Sequence, residues 1–185
     1  MKNIVIAVIS CVLFVSGVHA DVLKGQGEAS YSVRATGHTV HGTVALEPFE
    51  ATVTEVNGGK MISFKVNADI LKMTTKKKKR DVEMHHVLDA GKHQMIQGEV
   101  KEVSFALLKA DGGEAVSFPF FFGLAGITTE KDAEVLEFVE SDGGLELTVG
   151  FEVSQLEHFL TPIKKMGFLK VKDTVHVEVH FTLVP

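Results

Sequence analysis

The sequence predicts an all-β fold in which about eight antiparallel strands close into a barrel, with one short helix inserted near residues 80–89. Apolar and polar residues alternate with a period of two along much of the chain. Glycine-rich turn sequences separate the alternating segments. The length suits one domain, so all the apolar strand faces must be buried together.

The alternation defines the strands in order along the chain. An apolar residue at every second position is typical of a strand with one dry face and one wet face. The clearest such segments are 62–70, 145–153 and 175–183. Weaker alternation predicts further strands at 31–35, 40–46, 53–56, 100–108, 116–122 and 135–139.

Three turn sequences lie between these segments. They are "NGGK" at 57–60, "DGGE" at 111–114 and "SDGG" at 141–144. Glycine adopts positive φ without steric cost, so such sequences favour tight connections between neighbouring antiparallel strands.

One-sided strands bury their apolar faces either in a sandwich or in a closed barrel. Closure removes exposed strand edges, which favours the barrel. Its interior would be mostly Val and Phe, and about eight strands leave room either for side chains alone or for one small apolar ligand.

The segment 74–91, "TTKKKKRDVEMHHVLDAG", interrupts the alternation. Lysine has good helix propensity, and Gly91 suits a helix end. The segment predicts a short helix near 80–89 that packs Val87 and Leu88 against the barrel mouth.

The N-terminus predicts a secretory signal peptide over residues 1–20, with the mature domain at 21–185. Lys2 precedes an apolar run over 4–18, and Val18 and Ala20 occupy the small-residue positions before the cut. The alternative is a lipoprotein signal with Cys11 as the lipidated residue. The apolar run continues straight through Cys11, which favours the first interpretation.

Composition excludes several classes of protein. The only cysteine is Cys11, so the mature chain would have no disulfide, no thiolate zinc site and no cysteine nucleophile. The formal charge is −5, and −6 without Lys2. Nucleic-acid-binding proteins are usually basic, so no nucleic-acid partner is expected.

Neither a metal site nor a catalytic site is predicted. The histidine groups are His85, His86 and His93, then His38 and His41, then His176 and His180. Adjacent residues on a helix point about 100° apart, and two residues four apart on a strand are about 13 Å apart, so these pairs do not converge on one ion. No nucleophile, zinc-protease or phosphate-loop motif occurs.

The segment 64–93, "FKVNADILKMTTKKKKRDVEMHHVLDAGKH", resembles the signature of the YceI-like family of periplasmic polyisoprenoid-binding proteins. Thr75, Arg80 and Asp81 fall on the family's motif spacing, and Met84 and Leu88 fall on its apolar positions. The similarity continues through "LAGIT" at 124–128 and "VKDTVHVEVHFTL" at 171–183.

The sequence departs from the family pattern at three positions. They are Glu83, Gln94 and Lys172. These departures leave the expected fold unchanged and the identity of the ligand open.

The resemblance implies a lipocalin-like barrel in the periplasm whose apolar interior holds an isoprenoid or another long-chain lipid. It implies a binding protein rather than an enzyme, without a cofactor. Thr75, Arg80 and Asp81 are expected to be a structural motif in which Arg80 fixes the loop or helix. Transient contact with the membrane and the choice between monomer and dimer stay open.

The predicted ligand-binding residues are inward-facing positions of the strands, with the Tyr31 hydroxyl available to a head group. They are Tyr31, Phe64, Val66, Ile70, Phe118, Phe120, Phe151, Val177 and Phe181. Phe121 faces the other way from Phe118, Phe120 and Phe122, and is expected at the rim or outside.

Two further hypotheses stay open at this point. In one, the barrel is packed solid and acts through its outer surface as an interaction or stress-related protein, with the basic residues 76–80 as the contact. In the other, the protein is a metal-dependent enzyme. The volume left inside a barrel depends on strand register and shear, which sequence patterns do not supply.

Overall fold

The computed structural model describes residues 20–109, 116–161, 164–165 and 169–185, with the backbone only for 164–165 and 169. The predicted signal peptide, residues 1–20, and the predicted turn at 111–114 lie almost wholly outside these ranges. The strands are β1 (Ala20–Ala35), β2 (His38–Ala45), β3 (Phe49–Val56), β4 (Gly59–Asp69), β5 (Met95–Ser104), β6 (Ser117–Leu124), β7 (Ile127–Ser141), β8 (Gly144–Ser154), β9 (Lys164–Lys165) and β10 (Leu169–Val184). The helices are α1 (Lys78–Val87) and α2 (Phe105–Leu108), with 3-10 turns at Ile70–Lys72 and Leu156–His158.

Eight of the strands form a closed antiparallel barrel, so the predicted fold class is confirmed. The ring runs through β1, β3, β4, β5, β6, β7, β8 and β10, and it closes where β10 pairs with β1. Alternate apolar side chains point into the interior along most strands of the ring, as the period of two requires.

Strand β1 is long enough to have two partners on one edge. Its first part pairs with β3, from Ala20 to Gly25, and its second part pairs with β2, from Glu28 to Ala35. Strand β2 therefore lies beside β1 but does not pair with β4. A single bridge between Thr43 and Thr74 joins the outer edge of β2 to the chain that follows β4.

Helix α1 closes the end of the barrel beside β2. It covers 78–87, where the sequence predicted a helix near 80–89. Met84 and Leu88 pack against the buried core. We call residues 73–88 the lid, since this segment lies across the mouth of the barrel.

The boundary between β5 and β6 is the shortest in the ring. Only three residue pairs join these strands among the described residues, from Gln97 to Glu99 on β5. Every other boundary of the ring has at least six pairs. We call the β5–β6 boundary the seam.

Two predicted strand segments were wrong. The segment 100–108 is a strand only to Ser104, because the Ser104 hydroxyl accepts a hydrogen bond from the Ala106 amide and begins α2. The segment 62–70 ends at Asp69, whose carboxylate accepts a hydrogen bond from the Leu71 amide and begins a 3-10 turn that includes Ile70. Conversely, β1 begins eleven residues before the predicted start at Tyr31.

Two aromatic side chains lie over glycines in the neighbouring strand. Phe49 is the cross-strand partner of Gly25, and a Cβ at Gly25 would lie 2.4 Å from the Phe49 ring. Tyr31 is the partner of Gly42, where a Cβ would lie 2.3 Å from the Tyr31 Oη. Both rings use the space that a missing side chain leaves, an arrangement that fixes strand register.

We expect Leu147→Ala to destabilise the protein by about 2–5 kcal/mol, because it leaves a cavity beneath a side chain that is 1% exposed. Leu156→Ala is the matched control, since Leu156 is 59% exposed. Urea unfolding of both variants measures the difference. Equal losses in the two variants would contradict the described core.

Candidate functional site

The barrel interior is not filled. It contains a cavity of about 220 Å³ lined by the inward faces of β1, β2, β4, β5, β6, β7, β8 and β10, and by the lid. An apolar cavity of about 150 Å³ in another protein stays dry and binds benzene. The hypothesis of a solid, side-chain-filled barrel does not predict such a cavity.

Eight of the nine predicted ligand-binding residues line this cavity. They are Tyr31, Phe64, Val66, Phe118, Phe120, Phe151, Val177 and Phe181. Ile70 does not line it; this side chain is fully buried in the 3-10 turn after β4. Its place in the alternating pattern suggested a wall position, but the chain leaves the strand one residue earlier.

The cavity wall extends beyond the predicted ligand-binding residues. The alternation places Phe122 on the same face as Phe118 and Phe120, and it places Val149 and Val153 on the same face as Phe151, but these three are not among the predicted ligand-binding residues. The additional apolar lining includes Val33, Val40, Val44, Leu46, Ala68, Met73, Met84, Ile96, Val100, Phe122, Leu124, Val149, Val153, Val175 and Val179. The strict alternation of β8 and β10 could have identified the positions on those strands.

Two groups of aromatic rings form much of the wall. Phe49, Phe64 and Phe181 contact one another with ring centroids 5.3–6.0 Å apart. Phe120 and Phe151 are 4.8 Å apart, and Phe122 joins them. Tilted and edge-to-face rings at these distances attract one another beyond their simple burial, so they hold a definite wall shape.

Phe121 lies on the outer side of β6, as the sequence predicted for a residue out of phase with its neighbours. It is half-buried, and the Lys101 ammonium lies 4.7 Å from the centre of its ring. Phe121 is not part of the cavity wall.

Thr75, Arg80 and Asp81 form one hydrogen-bond network at the lid end of the cavity. The Asp81 carboxylate accepts hydrogen bonds from the Thr75 amide at 2.8 Å, from the Thr75 hydroxyl and from the Thr74 hydroxyl at 3.1 Å. The Arg80 Nε donates to the Thr75 hydroxyl and its Nη2 donates to the Thr75 carbonyl, both at 2.8 Å. Arg80 and Asp81 are therefore linked through Thr75.

These hydrogen bonds fix the charge of Asp81. Burial of the carboxylate alone would raise its pKa, but the hydrogen bonds from Thr75 and Thr74 outweigh this effect and lower the pKa below its ordinary value of 3.8. The carboxylate stays ionised and ties helix α1 to the loop before it. His85 adds a second tie, because its Nε2 lies 3.0 Å from the Met73 carbonyl oxygen and donates to it.

Arg80 also lines the cavity. Two of its nitrogen atoms are used by Thr75, and within the described ranges no carboxylate lies at ion-pair distance from it. The guanidinium is always protonated. One cationic group therefore borders the lid end of an otherwise almost wholly apolar cavity.

Tyr31 lies beside this group. Its hydroxyl is 3.2 Å from the Met84 Sδ and 3.4 Å from the Thr74 carbonyl oxygen, to which it donates. Burial is the largest cause that raises the pKa of Tyr31 well above its ordinary value of 10.0; the Asp81 carboxylate also raises it, and Arg80 opposes the shift. The hydroxyl is therefore a neutral hydrogen-bonding group at the lid.

Three histidines outside the lid take part in separate contacts. His176 Nδ1 is 2.9 Å from the Glu152 carboxylate, and His180 Nδ1 is 3.0 Å from the Thr148 hydroxyl. His158 is buried, and desolvation lowers its pKa below the ordinary value of 6.5. Among the described residues, no three His, Cys, Asp or Glu side chains are arranged to hold a metal ion.

The described helices are all too short or too polar to cross a lipid bilayer.

The geometry defines an antiparallel barrel with an apolar cavity beneath a helical lid. Its fold is similar to that of solved structures. Burkholderia cenocepacia BcnA has a TM-score of 0.65 at 12% identity, over 84% of this chain and 95% of that one. A polyisoprenoid binding domain from Saccharophagus degradans has a TM-score of 0.58 at 13% identity, over 89% of this chain and 100% of that one. A Campylobacter jejuni YceI protein superimposes less well, with a TM-score of 0.45 at 12% identity over 97% and 92%.

The chain has the YceI-like, lipocalin-like barrel fold, so the resemblance seen in the sequence is confirmed at the level of the fold. No family model matches the sequence, and no curated protein is similar to it by sequence.

We expect Asp81→Asn to lower the free energy of unfolding by about 1–3 kcal/mol at neutral pH, because it removes a charged hydrogen-bond acceptor. The folded-state pKa of Asp81 lies below its ordinary value of 3.8, so its contribution is present above that pH and is lost as the pH falls through the lowered pKa. The stability difference between wild type and variant should therefore disappear in acid. Urea unfolding at several pH values measures it, and a difference that persists in strong acid would contradict the assigned charge.

Tyr31 provides a second pH test, because the chain has one tyrosine and no tryptophan. We expect the folded protein to show no tyrosinate absorbance at pH 10.0, which is the ordinary pKa of a tyrosine side chain. A raised folded-state pKa contributes stability that is present below 10.0 and is lost as the pH rises through the raised value. Wild type should therefore lose stability more steeply above this pH than Tyr31→Phe; ionisation of the folded protein near 10.0 would place Tyr31 in solvent.

Proposed function

We propose that the protein is a binding or carrier protein that holds an isoprenoid or a similar long-chain amphiphile in the barrel cavity. The apolar cavity beneath the lid is the observation that carries this proposal. The Saccharophagus degradans domain of the same fold is described as polyisoprenoid binding, which supports the same class of ligand.

Burial of the ligand's apolar chain supplies the affinity. Apolar surface removed from water contributes about 25 cal/mol per Å². The walls are aromatic and aliphatic, and the aromatic groups around Phe64 and Phe120 are held in place by their own contacts. The ligand would therefore occupy the cavity and would need no strong polar interaction along its length.

The lid end is suited to the head group. Tyr31 offers a neutral hydroxyl, and Arg80 offers a permanent positive charge. A head group with an oxygen acceptor would contact both residues, while the chain extends toward Phe64 and Phe181. Arg80 would then hold the lid through its hydrogen bonds to Thr75 and also contact the head group of the ligand.

A binding role accounts for the site better than catalysis. The cavity residues are apolar apart from those near the lid and a few at its margins, and the polar groups at the lid are used to hold it closed. We propose that the protein is not an enzyme and that it acts in the periplasm after cleavage of residues 1–20.

Mass spectrometry of an organic extract tests the proposal. The protein is purified from its own periplasm without detergent, and the extract is compared with one from protein denatured and refolded in lipid-free buffer. A stoichiometric isoprenoid or long-chain amphiphile in the first extract supports a carrier. No bound lipid, also after incubation of the refolded protein with membrane lipids, overturns the proposal.

Phe120→Asp should abolish lipid retention, because it places a charge in the apolar cavity. Phe121→Asp is the matched control, since the neighbouring side chain lies outside the cavity. The same extraction measures both variants after their circular dichroism spectra confirm folding. Full lipid content in folded Phe120→Asp would remove this residue from the binding site.

A further inference from the structure

Four consecutive lysines on the lid are exposed to water and have no acidic partner among the described residues. Residues 76–79 are all exposed, and none of them forms an ion pair with another part of the chain that the structure describes. Most of the other lysines whose side chains the structure describes are paired with a carboxylate. The paired lysines are Lys60, Lys65, Lys72, Lys92, Lys101, Lys109 and Lys131.

The stability of the lid does not explain these lysines. Lys78 and Lys79 lie in the first turn of α1, and Lys77 precedes it without a side-chain hydrogen bond to the helix. The N-terminal end of a helix favours acidic residues, and a cation there is unfavourable. Departures from local stability rules are expected where a residue serves function.

An exposed apolar residue lies on the same side of the helix. Val82 is 69% exposed, and it follows Lys78 by four residues and Lys79 by three, so the three side chains are neighbours on the helix surface. The opposite side of the lid contacts the cavity through Met84, Val87 and Leu88. One helix thus carries a basic outer surface and part of the cavity wall.

We propose that residues 76–79 and Val82 form a docking surface for an anionic phospholipid bilayer, at which the protein exchanges its lipid. This inference rests on the proposed function. A long-chain amphiphile is stored in membranes, so a carrier must meet a bilayer to load or unload. The whole chain is acidic, with a formal charge of −5, so attraction to anionic lipid requires a local basic surface such as this one.

Charge complementarity favours a bilayer as the partner. A cluster of four or more basic residues beside an exposed apolar side chain is typical of surfaces that bind anionic lipid. Because Arg80 and Asp81 join the lid to the cavity end, binding there acts directly on the segment that covers the cavity.

The test uses sedimentation of the purified full-length protein with phosphatidylcholine vesicles that contain about 30% phosphatidylglycerol. The variant replaces Lys76, Lys77, Lys78 and Lys79 by Gln. Each basic residue near an anionic surface strengthens binding about fivefold, so we expect this variant to bind at least about 100-fold more weakly. Its thermal stability should equal or exceed that of wild type, since it removes cations from the helix N-terminus.

A control variant with Lys24, Arg34, Lys170 and Lys172 replaced by Gln carries the same change in charge at exposed positions outside the lid. It should bind like wild type. An equal loss of vesicle binding in both variants would overturn the proposed surface. So would wild type that binds pure phosphatidylcholine vesicles as tightly as the vesicles with phosphatidylglycerol. So would binding to single-stranded RNA that is tighter than binding to the anionic vesicles.

The lipid content of each preparation separates this inference from the proposed function. Wild type that contains lipid but does not bind anionic vesicles overturns the docking surface alone. Wild type that binds these vesicles through the lysines but never contains lipid overturns the carrier function and leaves the docking surface in place.

Discussion

The double pairing of β1 is the constraint on which the rest of the structure depends. One edge of this strand pairs with β10 along most of its length, and the other edge is divided between β3 and β2. Closure of the ring through β3 leaves β2 without a second neighbour. The chain after β4 must therefore cover that edge, and it does so through the bridge between Thr43 and Thr74.

The lid follows from this geometry. Near its start lie Thr74 and Thr75, whose hydroxyl and amide groups would be costly to bury unpaired. Asp81 accepts from both threonines, and Arg80 uses the remaining acceptors of Thr75. The same short network thus satisfies the loop, holds the helix in place, and leaves one cation beside an apolar cavity.

Sequence patterns predicted the strands and their inward faces, because burial of one face imposes a period of two. They failed where a side chain redirects the backbone, as Ser104 and Asp69 do when they begin a helical turn. That error placed Ile70 in the cavity wall. The size of the cavity was beyond prediction, because it depends on barrel register and on side-chain packing at Gly25 and Gly42. The resemblance to the YceI-like family predicted a structural role for Thr75, Arg80 and Asp81. It did not predict that Arg80 and Asp81 both bind Thr75.

The short seam between β5 and β6 makes the barrel mechanically uneven. Among the described residues, deforming the wall there disturbs three residue pairs, whereas deformation at any other boundary of the ring disturbs at least six. Phe120 and Val100 border the cavity on the two sides of the seam. The wall is therefore held by fewer strand pairs at the seam than elsewhere in the ring, whereas the rings of Phe64 and Phe181 contact each other on the other side of the cavity wall. If the protein binds an apolar molecule as proposed, the seam is where the wall would yield to a wider one.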